Sequence, residues 1–501
     1  MKRKTVISGI VIFWLIMMGW FIRFEAFPGR FAHTLAGYRG LFPSGPLVLD
    51  SWMKIMFQDK PIGYSHTRMD TRDRDPTEQY KLRNDTVLQL NMLGQPQDIV
   101  VSSEAGLDVL YELQTFSFSL TSGRYTARVD GRRIGEHTFF ARVMTAAGAK
   151  KLKVEIPSDV VLYSPFLEMS LGKLKPGQML RVKTFDPASM TAADVVCRAI
   201  GREKKVVGGR ERDTTVLSIE FQGLDTKAWM TDDGEIVRQE TPFGWTMEAS
   251  TPEEALSLKF ASKGGGDILK AVAVPCIGKL KRPEGCRQLR LRLSGTSTDV
   301  AQLASNRQKV ECEKKDAGEV TLLVNASVPP SGARARGEIP EGAKAYLEAT
   351  PFVQSDHPDM IKQAAKIVGD RTDPVEKARA IYQWVYKHVE KVPTASLPSA
   401  LDVLKNLQGD CNEHTYLFVG LARAVGLPAQ IRIGLVYHEG AFYYHAWPAV
   451  WVGDWWEMDP TLGQESVDAT HICLLEGELA SQLKLLGMVG KLKVKVVGEV
   501  D

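Results

Sequence analysis

The chain has 501 residues, a formal net charge of +3 at neutral pH, 44% hydrophobic residues and 25% charged residues. The length exceeds what one compact core usually holds, and the composition is that of an ordinary globular protein. With a net charge so close to zero, the chain lacks the excess of basic residues that is typical of nucleic-acid-binding proteins. We therefore expect no nucleic-acid partner. Six cysteines, none in a C-x-x-C pair, exclude a disulfide scaffold and argue against a structural zinc site.

The first 22 residues predict a membrane anchor. A basic tripeptide precedes an uncharged, apolar stretch over residues 5–22. This length is just enough to span a bilayer as a helix, and the basic flank favours a cytoplasmic N-terminus. A cleaved signal peptide is the alternative, although no small-residue cleavage site follows the stretch. We therefore expect the rest of the chain to lie outside the cytoplasm, in the periplasm or at the cell surface.

Residues 23–48 are rich in Pro and Gly and predict a linker, after which apolar and polar residues alternate. The alternation is clear at 88–92, 116–120, 125–129 and 152–156, and an Asp-Gly turn within 229–236 predicts a hairpin. Residues 49–260 are thus expected to form a large, twisted antiparallel sheet with one wet face. Short helices are expected at 186–196 and 251–255.

A second β region, residues 261–346, predicts a small module that joins the large sheet to the C-terminal part. Its strands are expected at 289–293 and 320–324. The region contains Cys276, Cys286 and Cys312, and outside the cytoplasm a bridge between two of them is an open alternative to three reduced thiols. Cys197 and Cys473 are expected to be small buried hydrophobic residues.

Helical periodicity replaces the alternation in residues 347–501. Helices are predicted over 357–368, from 373 to about 389, over 399–407 and from 411 to about 426. Strands are predicted over 430–437, 442–452 and 455–458, and the tail 491–496 is predicted to be an edge strand with outward lysines. The expected fold class is α+β: a transmembrane helix, a large antiparallel β-rich domain, a small β module and a C-terminal α+β domain.

Three residues in the C-terminal domain, Cys411, His445 and Asp459, predict a catalytic site. Asp410 is a good N-cap, so Cys411 is expected in the first turn of a helix, where the dipole and N–H groups favour a thiolate and an oxyanion. His445 lies mid-strand and is the expected base. The Gly453 turn of a hairpin would return Asp459 beside it to fix the imidazole tautomer.

Each of these residues taken alone has an ordinary structural explanation, and other candidates stand beside them. His414, three positions after Cys411, is a rival base. Glu413 is expected to stabilise the helix start, and Gln408 or a nearby tryptophan N–H is a possible further oxyanion donor. We expect His471 to be structural.

These motifs resemble the transglutaminase-like superfamily, the bacterial branch of papain-like thiol enzymes, over about residues 347–480. The resemblance rests on the segments AIYQWV (380–385), PSALDVL (398–404), GDCNEH (409–414), ARAVGLPA (422–429), YHAW (444–447), WEMDPTLGQ (456–464) and ATHI (469–472). It implies that Cys411 is the nucleophile, His445 the general base and Asp459 the orienting acid. It implies neither a metal nor a cofactor, because the calcium arrangement of the animal enzymes is not matched.

The expected function is that of a membrane-anchored, extracytoplasmic thiol enzyme. It would transfer or hydrolyse the acyl group of a protein or peptide amide of the cell envelope through a thioester on Cys411. The alternative is an envelope binding or assembly module in which the large sheet holds a partner and the thiol site is vestigial.

Overall fold

A computed structural model describes residues 49–500 of this protein apart from short gaps. The gaps are residues 72–77, 110–111, 146–147, 157–159, 163–173, 188–189, 233, 243, 259–265, 297–298, 315–317, 331–337 and 398. The predicted membrane anchor (1–22) and linker (23–48) lie outside the described residues.

Fifteen strands form one continuous sheet in the β-rich region. They are β1 (Leu49–Phe57), β2 (Lys60–Thr71), β3 (Tyr80–Met92), β4 (Gln95–Leu107), β5 (Leu113–Ser122), β6 (Tyr125–Arg133), β7 (Thr138–Thr145), β8 (Gly148–Glu155), β9 (Val160–Leu162), β10 (Met179–Asp186), β11 (Thr191–Val207), β12 (Arg210–Phe221), β13 (Leu224–Thr231), β14 (Ile236–Glu240) and β15 (Trp245–Ser250). Neighbours in sequence pair with one another except β8 and β9, which lie at the two ends of the sheet, and β1 pairs with β15 to join the two halves. The predicted large antiparallel sheet is therefore confirmed, with the parallel pair β9–β10 as an exception.

The expectation of a helix at 186–196 is wrong, whereas the helix near 251 is confirmed. Residues 191–207 form β11, which is hydrogen-bonded to β10 on one side and β12 on the other. Tertiary packing overrides the helical propensity of the Ala-Ala-Asp stretch, because Val195 and Cys197 are fully buried in the sheet core. Helix α1 (Pro252–Ser257) starts at Thr251, whose hydroxyl accepts from the N–H of Glu254.

A second sheet of nine strands carries the C-terminal part of the chain. Its strands are β16 (Val274–Ile277), β17 (Gln288–Ser294), β18 (Gln308–Lys314), β19 (Glu319–Asn325), β22 (Ala429–His438), β23 (Ala441–Trp451), β24 (Trp455–Glu457), β25 (Ile472–Glu476) and β26 (Lys493–Val500). The short strands β20 (Glu390–Lys391) and β21 (Gln408–Gly409) form a separate pair. Strands from the expected small β module and from the C-terminal domain thus share one sheet.

The tail strand β26 lies inside this sheet and not at its edge, contrary to the sequence prediction. It pairs with β17 on one side and β16 on the other. Its alternation places Val494 in the core and leaves Lys493 and Lys495 exposed, as expected. The same period-two pattern fits an edge strand or an inner one, so it could not reveal the second neighbour.

The thiols of Cys276 and Cys286 do not bond to each other. Each donates to a backbone carbonyl two residues further on, at 3.6 Å to Gly278 and 3.5 Å to Gln288. The side chain of Cys312 lies outside the described residues. Cys197 and Cys473 are buried, as expected of small hydrophobic residues.

Most described helices lie between strands of the second sheet along the chain. They are α2 (Ile268–Ala271), α3 (Glu341–Lys344), α4 (Pro358–Val368), α5 (Pro374–His388), α6 (Ala400–Asn406), α7 (Cys411–Ala424) and α8 (Leu479–Leu486), with short 3₁₀ turns at Val300–Leu303 and Ala345–Leu347. Helices α4 to α7 match the predicted segments. Proline at the first position of α4 and α5, and Ser399 and Asp410 as N-caps of α6 and α7, mark their starts.

The predicted fold class needs a correction. We expected an α+β chain led by a transmembrane helix, but the described chain is 52% strand and 18% helix. No described helix is both long and apolar enough to cross a bilayer. The longest, α5, has 15 residues and a charged face, whereas a span needs about 20 apolar residues. The described chain is thus predominantly β, with the helices gathered around the C-terminal sheet.

A buried ion pair joins the residue before β18 to β24 in the second sheet. The Nε of Arg307 donates to Oε2 of Glu457 at 2.7 Å, and its other nitrogens donate to the carbonyls of Asn325 and His471 at 3.0 and 2.6 Å. The Trp447 indole also donates to Glu457 at 2.7 Å. Burial would raise the pKa of Glu457, but the guanidinium groups of Arg307 and Arg432 and these hydrogen bonds lower it. The carboxylate is therefore ionised and compensated.

We expect Arg307→Met to lower the free energy of unfolding by about 3–5 kcal/mol, because it removes the nearer of the two guanidinium groups that compensate the buried Glu457 carboxylate. Urea denaturation followed by tryptophan fluorescence measures the change. The control is Arg128→Met, which breaks the exposed pair with Asp130 (2.8 Å) and should cost at most about 1 kcal/mol. Equal losses in the two variants would contradict a structural role for the buried pair.

Candidate active site

The start of α7 is built around a capping box. The Asp410 side chain accepts from the N–H of Asn412 at 3.1 Å, and Glu413 reaches back to accept from the N–H of Asp410 at 2.9 Å. The buried Glu413 carboxylate is held in turn by the hydroxyl of Ser396. Cys411 is therefore the first residue of a well-defined helix, and Glu413 stabilises the helix start as predicted.

Helix α7 fills a gap along one edge of β23. On that edge β16 pairs with residues 441–442 and β24 with residues 449–451, so the stretch between them meets α7. The hydroxyl of Thr415 donates to the carbonyl of Ala446 at 3.1 Å, and the N–H of Ala446 bonds to the sulfur of Cys411. Both helix residues lie on one face, four positions apart. The cysteine is thus held beside the backbone of the residue that follows His445.

His445 and Asp459 form a direct, buried hydrogen bond. The Nε2 atom of His445 lies 2.7 Å from Oδ2 of Asp459, and both side chains are almost fully buried. The hairpin from β23 to β24 brings the two residues together, with Trp451 opposite Trp455 at its turn. Because Nε2 faces the carboxylate, proton exchange between His445 and a thiol would use Nδ1.

Asp459 is itself held by the loop that follows it. Its Oδ1 accepts from the N–H groups of Thr461 and Leu462 at 2.7 and 3.0 Å. Burial would raise the pKa of Asp459, but the charges and hydrogen bonds of His445 and His471 lower it far below the usual range. The residue is therefore a carboxylate that accepts only, as an orienting acid must be.

A second histidine, His471, contacts the same carboxylate oxygen. Its Nε2 lies 3.1 Å from Oδ2 of Asp459, and its Nδ1 lies 3.4 Å from Oδ1 of Asp468. The sequence pattern gave no sign of this contact, because His471 lies in a separate segment, directly before β25. The ligand-type atoms of His445, Asp459 and His471 lie within 4.8 Å of one another, and hydrogen bonding to one shared oxygen accounts for that spacing.

The charges around Cys411 favour its neutral form. Burial and the negative charges of Asp410, Glu413 and Asp459 raise the pKa of the thiol, and the N–H of Ala446 opposes this. The pKa of Asp410 is also raised, by burial and by its neighbour Glu413. We had expected the helix start to stabilise a thiolate. The acidic neighbours oppose that effect, so ionisation of the sulfur requires a base to take its proton.

Among the described residues, no carboxylate is hydrogen-bonded to the ring of the rival base, His414. Its ring lies fully buried with Nδ1 2.7 Å from the carbonyl of Asp410, and burial lowers its pKa. Two of the tryptophans considered as oxyanion donors are also engaged elsewhere: Trp447 donates to Glu457, and Trp456 donates to Ser466 at 2.9 Å. These contacts favour His445 over His414 and remove both indoles from the oxyanion candidates.

The large sheet reaches the active-site region through Tyr125. This residue starts β6, is 3% exposed, and its hydroxyl donates to the backbone carbonyl of Gln408. Gln408 belongs to β21, which pairs with β20 and directly precedes the capping box. Apolar residues of β5 to β7 and of the α7 region also share one core cluster. The segment that leads into Cys411 is therefore supported by the large sheet and by the separate β20–β21 pair.

Gly409→Ala is expected to disturb the helix start that carries Cys411. Gly409 has a φ of 149°, and an added Cβ would lie 2.3 Å from Cβ of Glu413. We expect a loss of about 2–4 kcal/mol, from backbone strain plus the weakened cap, and slower alkylation of Cys411. The control is Gly426→Ala at the other end of α7, where φ is +78° and nothing lies within 4 Å. If both variants behave alike, the contact with Glu413 has no special role.

Tyr125→Phe is expected to lower stability by about 1–3 kcal/mol, because the part-buried carbonyl of Gln408 loses its side-chain donor. Chemical denaturation measures this loss, and the alkylation rate of Cys411 shows whether the effect reaches the site. Tyr64→Phe, on β2 of the same sheet, is the matched control and should change stability by less than about 0.5 kcal/mol. An unchanged stability of the Tyr125 variant would contradict the proposed support.

Comparisons with known proteins place a family core over this site. Residues 361–460 match the transglutaminase-like superfamily. An uncharacterized protein of Haemophilus influenzae is 36% identical over 112 residues, which are 19% of this chain and 30% of that protein. The chain thus matches less than a third of that relative's length.

Two solved structures resemble part of the fold. A candidate cysteine protease from Cytophaga hutchinsonii is 17% identical with a TM-score of 0.28, covering 43% of this chain and 85% of its own. The periplasmic domain of TgpA from Pseudomonas aeruginosa, bound to ethylmercury, is 15% identical with a TM-score of 0.26, covering 37% and 87%. The family match confirms the resemblance predicted from the sequence: the C-terminal part of this chain contains a transglutaminase-like core.

Proposed function

We propose that the protein is a thiol enzyme that transfers or hydrolyses the acyl group of a protein or peptide amide through a thioester on Cys411. His445 acts as base and then acid, and Asp459 orients it. The observation that carries the proposal is the 2.7 Å hydrogen bond from His445 to Asp459, on a strand whose next residue bonds to the Cys411 sulfur. A transglutaminase-like core supports the same class of chemistry.

The proposed first half-reaction forms the thioester. His445 takes the proton of the Cys411 thiol through Nδ1, and the sulfur attacks the amide carbonyl carbon. The backbone N–H of Cys411, at the positive end of α7, is placed to stabilise the oxyanion. His445 then returns the proton to the nitrogen of the leaving amine as the C–N bond breaks.

The second half-reaction releases the acyl group. Water or an amine attacks the thioester carbonyl, His445 accepts the proton of the attacking group, and the thiolate leaves and is reprotonated. The two outcomes, hydrolysis and amide transfer, differ only in this nucleophile. Location outside the cytoplasm and a cell-envelope substrate remain predictions from the sequence.

Cys411→Ala is expected to abolish covalent acyl-enzyme formation while the protein stays folded, because the attacking atom is removed. The measurement is intact-protein mass spectrometry after incubation with an activated acyl ester, with thermal unfolding as the check on folding. Cys473→Ala is the control, since that thiol is buried and donates to the carbonyl of Leu475 at 3.4 Å. Acylation that survives in the Cys411 variant would refute the proposed nucleophile.

His445→Ala should reduce acyl-enzyme formation by about 10²–10⁴-fold, the usual contribution of a general base. His414→Ala should reduce it far less, because His414 faces a backbone carbonyl and not a carboxylate. Single-turnover rates of the two variants decide between the bases. The reverse order would move the base to the helix and reject the assignment of His445.

A small alkylating reagent separates the enzyme from a binding module with a vestigial site. Cys411 is half-buried, whereas Cys473 is 4% exposed, and burial raises the pKa of both thiols. If His445 assists the loss of the thiol proton, Cys411 should be alkylated much faster near neutral pH, and His445→Ala should remove the advantage. Equally slow labelling of the two cysteines would favour the binding module.

A further inference from the structure

His471 lies behind the proposed triad, between two carboxylates. Its side chain is fully buried, with Nε2 3.1 Å from Oδ2 of Asp459 and Nδ1 3.4 Å from Oδ1 of Asp468. A neutral imidazole carries one N–H and can donate to one of these oxygens, whereas an imidazolium donates to both. The number of hydrogen bonds that His471 donates therefore depends on its protonation state.

The other hydrogen-bond partners of Asp459 and Asp468 indicate the protonation state of His471. Asp459 also accepts from the N–H groups of Thr461 and Leu462. Asp468 accepts from the N–H and hydroxyl of Thr470 at 2.9 and 2.6 Å and from the amide of Gln464 at 2.8 Å. All these contacts are donated to the carboxylates, which favours the ionised form of both. His471 is then the cation between them.

The titration behaviour of the three groups agrees with this assignment. Burial would lower the pKa of His471, but hydrogen bonds and charges from Asp459 and Asp468 raise it overall. Burial would raise the pKa of Asp468, but the hydrogen bond and charge of His471, with the contacts of Thr470, lower it. The ring is thus expected to stay charged at neutral pH.

We propose that His471 is a positioning residue whose buried imidazolium shares the Asp459 carboxylate with His445 and limits how strongly that carboxylate holds a proton on His445. The proposal rests on the proposed thiol chemistry. His445 must accept the proton of Cys411 and later release it to the leaving nitrogen. A carboxylate compensated by a second cation makes His445 a better acid in that release step.

The remaining charges near His471 do not replace it. The guanidinium of Arg307 donates to the backbone carbonyl of His471, but it is paired with Glu457 at 2.7 Å. From β23, the rings of His445 and Trp447 meet His471 edge-on at centroid distances of 5.8 and 5.2 Å. Removing the imidazolium therefore leaves Asp459 with His445 as its remaining histidine partner.

The test is the rate of Cys411 alkylation by iodoacetamide, measured by mass spectrometry from mildly acidic to mildly alkaline pH. In His471→Gln, the uncompensated Asp459 should favour transfer of the thiol proton to His445, so alkylation near neutral pH should become about tenfold faster. If His471 had only a structural role, its replacement would disorder the His445–Asp459 pair and slow alkylation of Cys411. The sign of the change therefore separates the two explanations.

A second variant keeps the test decisive if His471→Gln does not fold. Asp468→Asn weakens the hold on the imidazolium and should speed alkylation in the same direction by a smaller factor. His438→Gln, at an exposed histidine, is the control and should leave the profile unchanged. Unchanged or slower alkylation in folded His471→Gln, or in Asp468→Asn if the first does not fold, overturns the inference. If His445→Ala fails to alter alkylation of the otherwise native protein, the proposed function itself is rejected.

Discussion

The Asp459 carboxylate is the group on which the candidate site depends. It is buried. One of its oxygens accepts hydrogen bonds from two backbone N–H groups of its own loop, and the other contacts the imidazoles of His445 and His471. A buried charge of this kind is stable only when its lone pairs are filled and its charge is balanced. The loop N–H groups and the two histidines meet that requirement. The proton transfer proposed for His445 depends on the same carboxylate.

The second constraint is the gap in the pairing of β23. Where a strand partner is missing along that edge, the start of α7 supplies the contacts, with Thr415 on the carbonyl of Ala446 and Cys411 against its N–H. The buried backbone groups must be satisfied, and here a helix does so in place of a strand. The sulfur is thereby held beside the strand that carries His445.

The large sheet contacts the C-terminal core directly. The hydroxyl of Tyr125 bonds to the carbonyl of Gln408, and the apolar faces of β5 to β7 belong to the same cluster as the helices around α7. A catalytic cysteine placed by a helix N-terminus needs a rigid lead-in segment. The pair β20–β21 and the Tyr125 contact provide that support from two sides of the chain.

Local sequence signals by themselves determined the elements that carry the site. Period-two alternation, the proline and N-cap starts of α4 to α7, and the Cys411, His445 and Asp459 motifs each act over a few residues and could be recognised without the fold. The tertiary structure alone decided the inner position of β26, the strand at residues 191–207, the contact of Tyr125 and the contact of His471 with Asp459. Each of these depends on partners outside the local segment, and neither periodicity nor propensity contains information about such partners.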